Sequence, residues 1–338
     1  MRLISLKTVV IWLIVFAAAA TSEITHAQNK TFVMKISLPT INDPTYIFAK
    51  NFAATIEEDS GGRIKPEVYP ASQLGAIPRQ IEATQFGSIQ CVILPPEFFV
   101  GVDQRFQVLT VPGLVNSAEH ADRLATEPGI QKLIYGLGAD KGLHGVGLFF
   151  AGLSSVIART PIRALADFKG KKIRTLASKF QTEPINRLGA TPVVMTLGDV
   201  LPALQQGTID GSIGNIVVFT PMNFQNAAKY LTETGQPPVF IVVELSKKWY
   251  DTLPTDLQNL VVNASNKEMR KIHPITVALN NKARKGWTEG GGELIKLSPS
   301  DQASMMKTFA GAVADVAKAN PDVNAAYQMV NQVAQRTR

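Results

Sequence analysis

At 338 residues the chain is long for one hydrophobic core and short for three domains, so two are expected. Hydrophobic residues make up 45% and charged residues 18%, a soluble globular composition and not a disordered or fibrous one. The formal charge of +7 favours anionic small molecules or surfaces, although exported proteins are often basic for no such reason; the Lys and Arg residues are scattered and form no stripe interleaved with aromatics, which argues against nucleic acid.

Arg2 and Lys7 precede an apolar run from Thr8 to Ala20, and Thr25-His26-Ala27 sets small residues around a cleavage point. Residues 1–27 therefore read as a secretory signal peptide, cut after Ala27 to leave Gln28 first. The run is shorter than the ~20 apolar residues of a membrane span, and no second one follows. The chain's one cysteine, Cys91, lies inside the apolar run Ile89 to Leu94 and reads as a buried, inert thiol. Without a disulfide, an exported protein must rely on a sizeable core.

From there, strand and helix signals alternate, the pattern of an α/β fold. Phe32 to Leu38 alternates like a strand. Asp43-Pro44 caps a helix with Phe48, Phe52 and Ile56 on one face, stopped by Gly61-Gly62. Ile64 to Tyr69 is a second strand, Pro78 opens a helix ending at Gly87, and Ile89 to Leu94 is a third strand. Pro128 begins a helix toward Lys141, and Leu143 to Phe150 is an apolar strand. The pattern then restarts. Ser154 to Ala158, Lys171 to Thr175 and Thr191 to Met195 read as strands. Ser178 caps a helix closed by Gly189, and Gly198 to Gln206 is a helix closed by Gly207. Thr208 to Ile213 is a strand, and Val239 to Leu245 is another that returns to the first unit. Pro254 to about Thr288 is a helix of roughly 50 Å, long enough to cross two domains. Pro274 inside it should kink it; two helices meeting there is the alternative. Glu293 to Leu297 is a strand. Ser298 or Ser300 caps a helix to about Lys318, and Asn320-Pro321 starts the last one. The expected division is residues 28–151 with 240–273 as lobe I, and 152–239 with 274–338 as lobe II.

Little in the chain is suited to covalent chemistry. His120, His144 and His273 are far apart, a lone cysteine cannot build a thiolate metal site, and no metalloprotease, nucleophile-elbow, phosphate-loop or dinucleotide motif is present. No cofactor or metal is expected. Asp210-Gly211-Ser212-Ile213-Gly214-Asn215 lacks the lysine of a phosphate loop and reads as a turn leading to a helix N-terminus. The exception is Arg174. The run Ala166 to Thr175 is a polar turn feeding a short strand that delivers one guanidinium to the strand's end, where open α/β sheets bind ligands. A guanidinium there can grip a carboxylate through two parallel hydrogen bonds. The alternative is a surface arginine paired with Glu183 or Asp210. Phe180, Met195, Phe219 and Phe224 would give such a site an apolar wall, though core packing accounts for each alone.

At these residues the chain strongly resembles the solute-binding subunits of tripartite ATP-independent periplasmic (TRAP) transporters, of the dicarboxylate-binding type. The resemblance is carried by Tyr69-Pro70-Ala71-Ser72-Gln73-Leu74-Gly75, by Asp167 to Arg174, by Leu188 to Met195, by Ala203 to Gly211 and by Trp249 to Gln258, in family order and spacing. It implies a two-lobed Venus-flytrap fold with hinge strands and a long helix across both lobes. It implies a periplasmic protein that closes on a small organic acid and delivers it to a TRAP membrane permease; a monomer is expected. The family's carboxylate-binding arginine falls on Arg174. Other pocket positions fall on Ser154, where many members carry a larger polar or cationic residue, and near Asn215, one residue past the usual asparagine. An acidic contact made by sugar-acid binders would have to come from Glu97, so sialic acid is disfavoured. With fewer polar anchors, and with Phe219 and Met195 nearby, the ligand is expected to be a monocarboxylate with an apolar or aromatic tail, or a small keto or dicarboxylic acid. Signalling to a membrane sensor, or turnover of an organic acid by a periplasmic enzyme, are the rival readings.

Overall fold

The computed structural model describes residues 31–338, so the expected signal peptide and its cut lie outside the described residues. The chain begins with β1 (Phe32–Ser37) and α1 (Pro44–Asp59). Asp43 caps α1 by accepting the Tyr46 N–H at 2.8 Å, and Pro44 supplies the preset φ of a first turn. The i, i+4 stripe Phe48, Phe52 and Ile56 is buried, with Phe48 stacked on Phe149 at 4.8 Å. β2 (Ile64–Tyr69), α2 (Ile77–Phe86) and β3 (Cys91–Leu94) follow, α2 stopping at Gly87 with φ 90°. Cys91 is fully buried, and burial holds its thiol well above its usual range, as expected of an inert thiol. Short 3₁₀ turns at Pro96–Phe99 and Gln104–Thr110 lead to α3 (Ala118–Thr126) and α4 (Pro128–Tyr135), then to β4 (Leu143–Leu153). α4 stops well short of Lys141, because glycines interrupt it and Gly138 adopts φ 72°.

The second unit comprises β5 (Ser155–Ala158), β6 (Lys172–Thr175), α5 (Lys179–Arg187), β7 (Thr191–Val194), α6 (Leu197–Gln206), β8 (Gly211–Gly214), the single turn α7 (Ile216–Phe219) and β9 (Tyr230–Glu233). The strand expected over Thr208 to Ile213 is present but displaced, running from Gly211 to Gly214, and Asn215 then opens α7 as the helix N-terminus expected after it. β8 pairs antiparallel with β5 and parallel with β6, and its small residues let neighbouring strands approach: a Cβ on Gly211 would sit 2.5 Å from the Ile157 carbonyl. β10 (Pro238–Ser246) returns to the first sheet, followed by α8 (Lys247–Tyr250), α9 (Thr255–Glu289), β11 (Glu293–Lys296), α10 (Pro299–Lys318) and α11 (Pro321–Arg336). Sheet order is β2-β1-β3-β10-β4 in lobe I and β11-β9-β5-β8-β6-β7 in lobe II.

The lobes are joined where β4 passes into β5 and β9 into β10. These crossings bond to each other: the Ser154 N–H donates to the Pro237 carbonyl at 3.0 Å, and the Thr234 hydroxyl donates to the Ser154 carbonyl at 3.1 Å. α9 is one helix of 35 residues with Pro274 inside it. Its first half buries Leu257, Val261 and Met269 in the lobe I core, and its second half buries Ala283 and Trp287 in the lobe II core.

The expected placement of residues 274–338 in lobe II fails for α11. Val323, Ala326, Val330 and Ala334 share a core with Leu94, Phe106 and Leu148 of lobe I, and the His120 ring bonds the Ala334 carbonyl at 2.8 Å. The apolar stripe of α11 announces an amphipathic helix, but nothing local tells which lobe's groove it fills. α3 and β9 were not anticipated either: α3 is short and polar, and β9 is four residues between irregular segments.

Candidate functional site

Parallel strands in both lobes turn their C-terminal ends toward one cleft. Residues just past β1, β3, β6 and β8 line a common cavity of about 80 Å³. Lobe I contributes Asp43, Glu97 and Phe98; lobe II contributes Arg174, Asn215 and Phe219. A larger open groove of about 720 Å³ runs beside Pro221 and Leu279, but its charged residues Lys282, Lys285 and Glu289 are all exposed.

Arg174 is 4% exposed. Its Nε donates to the Met195 carbonyl at 3.0 Å, and one terminal nitrogen reaches the Ile213 carbonyl at 3.5 Å. Neither alternative partner takes it: Asp210 accepts the Lys172 backbone N–H at 2.8 Å, and Glu183 pairs with Arg187 at 3.0 Å. Burial lowers its pKa to about 10, while the carboxylates of Glu97 and Asp199 pull the other way, so it stays cationic at neutral pH. A guanidinium has five N–H donors, and the two carbonyls leave most of them unspent.

The other predicted residues take different places. Asn215 lines the cavity and caps α7, accepting the Val217 N–H at 3.2 Å and donating to the Ala151 carbonyl at 2.8 Å. That second bond ties β8 to the end of β4. It requires Gly152, where φ is 136° and a Cβ would fall 2.1 Å from the Asn215 amide nitrogen. Ser154 lines the cavity at the strand crossing and is 2% exposed. Phe219 forms part of the wall, backed by Phe224 at 5.3 Å. Three expected wall residues are elsewhere. Met195 acts through its backbone carbonyl, and its side chain packs on the lobe II core. Phe224 lies behind Phe219, and Phe180 packs toward Tyr327 in a core shared with lobe I.

Two carboxyls complete the wall. Burial raises Asp43 to about 6 against hydrogen bonds from Tyr46, Thr40 and Thr45. Burial raises Glu97 to about 7, opposed by its own backbone N–H and by Arg174. Asp43 read only as a helix cap from sequence; its position just beyond the end of β1 was the available sign of a cleft residue. No group of His, Cys, Asp and Glu able to hold a metal occurs among the described residues. His120, His144 and His273 are separate, His144 stacking on Tyr250 at 4.1 Å.

The profile of bacterial extracellular solute-binding protein family 7 matches residues 37–320. The chain belongs to that family. It is 28% identical over 259 residues to the C4-dicarboxylate-binding periplasmic protein DctP of Rhodobacter capsulatus, covering 76% of this chain and 77% of that one. It spans less of a Salmonella typhimurium relative, YiiZ, at 28% identity over 207 residues, 61% of this chain and 63% of the other. Its fold is that of a TRAP periplasmic solute-binding protein from Shewanella oneidensis, solved with bound succinate, with TM-score 0.82 and 23% identity over 89% of this chain and 99% of that one. The α/β two-lobed fold expected of a periplasmic binding protein is thus the observed one, and the family is one of solute binders.

Proposed function

We propose that this protein captures a small organic acid outside the cytoplasm, with residues 1–27 as its export signal, and delivers it to a TRAP-type membrane permease. The observation that carries the reading is Arg174: a buried guanidinium at the floor of an interlobe cavity, positioned by two carbonyls and engaged by no carboxylate in an ion pair among the described residues. A ligand carboxylate supplies the missing partner through two parallel hydrogen bonds. Ser154 and Asn215 offer further polar contact, Phe219 an apolar wall, and Met195 holds the guanidinium from behind. Relatives named for C4-dicarboxylates and for 2,3-diketo-L-gulonate, the latter 27% identical over 280 residues, support an acid as the cargo.

The lobes hinge at the paired crossings near Ser154 and Pro237. A ligand that touches Arg174 from lobe II and the β1 and β3 ends from lobe I binds best when the lobes are together, so it shifts the population toward closure. The protein works as a monomer and returns its cargo unchanged. A panel of organic acids, sugars and amino acids in a thermal-shift assay tests this. At least one acid should raise the melting midpoint in proportion to the logarithm of its concentration. Stabilisation by neutral solutes alone, or conversion of the bound acid, would refute it.

A further inference from the structure

Cations that stand apart along the sequence meet at one edge of the lobe II sheet. β6, β7, β8, β9 and β11 run the same way and end on the cleft side, whereas β5 runs against them. The far edge therefore collects the end of β5, the starts of β6 and β9, and the turns between them. Arg159 and Arg163 follow β5, Lys169, Lys171 and Lys172 lead into β6, and Lys229 precedes β9. Backbone bonds hold these stretches side by side. The Arg159 N–H donates to the Asp210 carbonyl at 2.9 Å, the Asp210 N–H to the Lys172 carbonyl at 2.8 Å, and the Glu293 N–H to the Lys229 carbonyl at 2.7 Å. The Lys171 ammonium donates to the Thr160 hydroxyl at 2.7 Å. Arg163 pairs with Glu293 at 2.6 Å; the other cations make no ion pair among the described residues. The remaining acids here, Asp167 and Asp210, accept backbone N–H groups, those of Arg163 and Ala164 on Asp167 and that of Lys172 on Asp210.

We propose that this edge of lobe II rests on an anionic lipid surface, holding the protein at the membrane while the cleft, at the opposite ends of the strands, stays free to take cargo. This rests on the reading of the protein as an exported binder that serves a membrane permease, since only then does a membrane lie beside it. Arg159 has a second duty, lying against Gly207 at the C-terminal end of α6, where a Cβ would come 2.6 Å from its guanidinium. Lys169 and Lys172 have none: both are exposed, and their ammonium groups make no hydrogen bond or ion pair among the described residues. They stand on open turns beside the exposed glycines Gly170 and Gly189. None of the large apolar side chains exposed elsewhere, such as Phe86, Val194 or Met329, belongs to these turns. Protein interfaces are built around aromatic and apolar anchors and are depleted in lysine, so this edge is poorly made for a protein partner. A fluid sheet of headgroup phosphates needs no anchor and no fixed geometry, and each Lys or Arg near it strengthens binding about fivefold.

Co-sedimentation of the mature protein with lipid vesicles tests this. At about 50 mM salt, phosphatidylcholine vesicles with about one-third phosphatidylglycerol should bind roughly a hundredfold more tightly than phosphatidylcholine alone, and about 300 mM salt should remove most of that preference. Lys169→Gln, Lys172→Gln and Lys229→Gln combined should weaken binding to the anionic vesicles at least about tenfold. Lys65→Gln, Lys132→Gln and Lys248→Gln combined take the same charge from exposed lysines of lobe I and should change it less than about threefold. Equal binding to both kinds of vesicle by the unaltered protein would overturn the proposal, whether or not the variants fold. So would equal losses from the two triple variants, since net charge alone would then account for binding. Attachment only to vesicles that carry permease subunits, whatever their lipid, would assign the edge to a protein and overturn it as well. A protein that still binds acid but ignores anionic vesicles removes this proposal alone; a silent acid panel removes the reading beneath it.

Discussion

Arg174 is fixed by backbone carbonyls and not by a countercharge. Two carbonyl dipoles orient the guanidinium without neutralising it, and burial depresses its pKa only to about 10, so the charge persists and stays available. Removing it leaves a bound carboxylate desolvated and unpaired. Arg174→Ala should weaken binding of the cognate acid by ~3–5 kcal/mol, two to four decades in Kd. Arg174→Lys should recover only part of that, because a lysine cannot present two parallel N–H groups. Calorimetry on both variants checks this; a loss below about tenfold for the alanine variant would remove Arg174 from the site. A second residue-scale test concerns Gly152. Its φ of 136° and the 2.1 Å approach to Asn215 leave no room for a methyl group, so Gly152→Ala should cost about 1–3 kcal/mol in strain alone and loosen the Asn215 tie to Ala151. Urea unfolding reads the first effect, and ligand affinity the second. The arginine was legible in the sequence because a strand end in an α/β sheet has a functional meaning. Met195 was legible only in part: its neighbourhood was visible, but a backbone carbonyl acting in place of a side chain leaves no mark on residue type.

At the scale of elements, most strands and helices followed from periodicity and stop signals. Gly87 and Gly207 end helices in the left-handed conformation that their sequence positions required. What escaped was tertiary: the short strand β9 is strand because β5 and β11 flank it, not because of its own four residues. β10 carries a feature that no pattern predicts. Glu244 is fully buried and neither of its carboxyl oxygens finds a hydrogen-bond partner among the described residues. Burial therefore drives its pKa well above the ordinary range. The folded chain holds this group protonated, whereas the unfolded chain ionises it near pH 4.3. Its contribution to stability is thus fully present below about pH 4.3 and is lost as pH rises from there toward the folded pKa, at up to ~1.4 kcal/mol per pH unit. Glu244→Gln should remove that slope, gaining on the unaltered protein as pH rises from 4 to 8. Denaturant titrations across that range measure it, and a difference independent of pH would contradict the buried, neutral carboxyl.

At the scale of the whole molecule, the chain does not segregate into two independent units. It crosses between lobes at β4 to β5, at β9 to β10 and along α9, and then returns to lobe I through α11 after completing the lobe II sheet. One lobe I core holds residues from β3, β4 and β10 together with Phe180 of α5, Val313 of α10 and Val330 of α11. The Thr110 and Ser178 hydroxyls, one from each lobe, bond at 2.7 Å, and the Gln107 side chain accepts the Lys179 N–H at 3.0 Å. Unfolding either lobe alone would expose the shared apolar surface and strand these bonds, so neither lobe has a stable existence without the other. A single calorimetric transition should result, with van't Hoff and calorimetric enthalpies in agreement. On the proposed reading the cognate acid also bridges the lobes, so it should move that one transition upward as a unit. Removing α11, residues 321 onward, uncovers the lobe I core at Leu94, Phe106 and Leu148 while leaving every strand of the lobe II sheet in place. The truncated protein should melt earlier but still in one step, with acid binding lost in that step. Two resolved transitions in the intact chain would show that the crossings are mechanical links only and that the shared core does not couple the lobes.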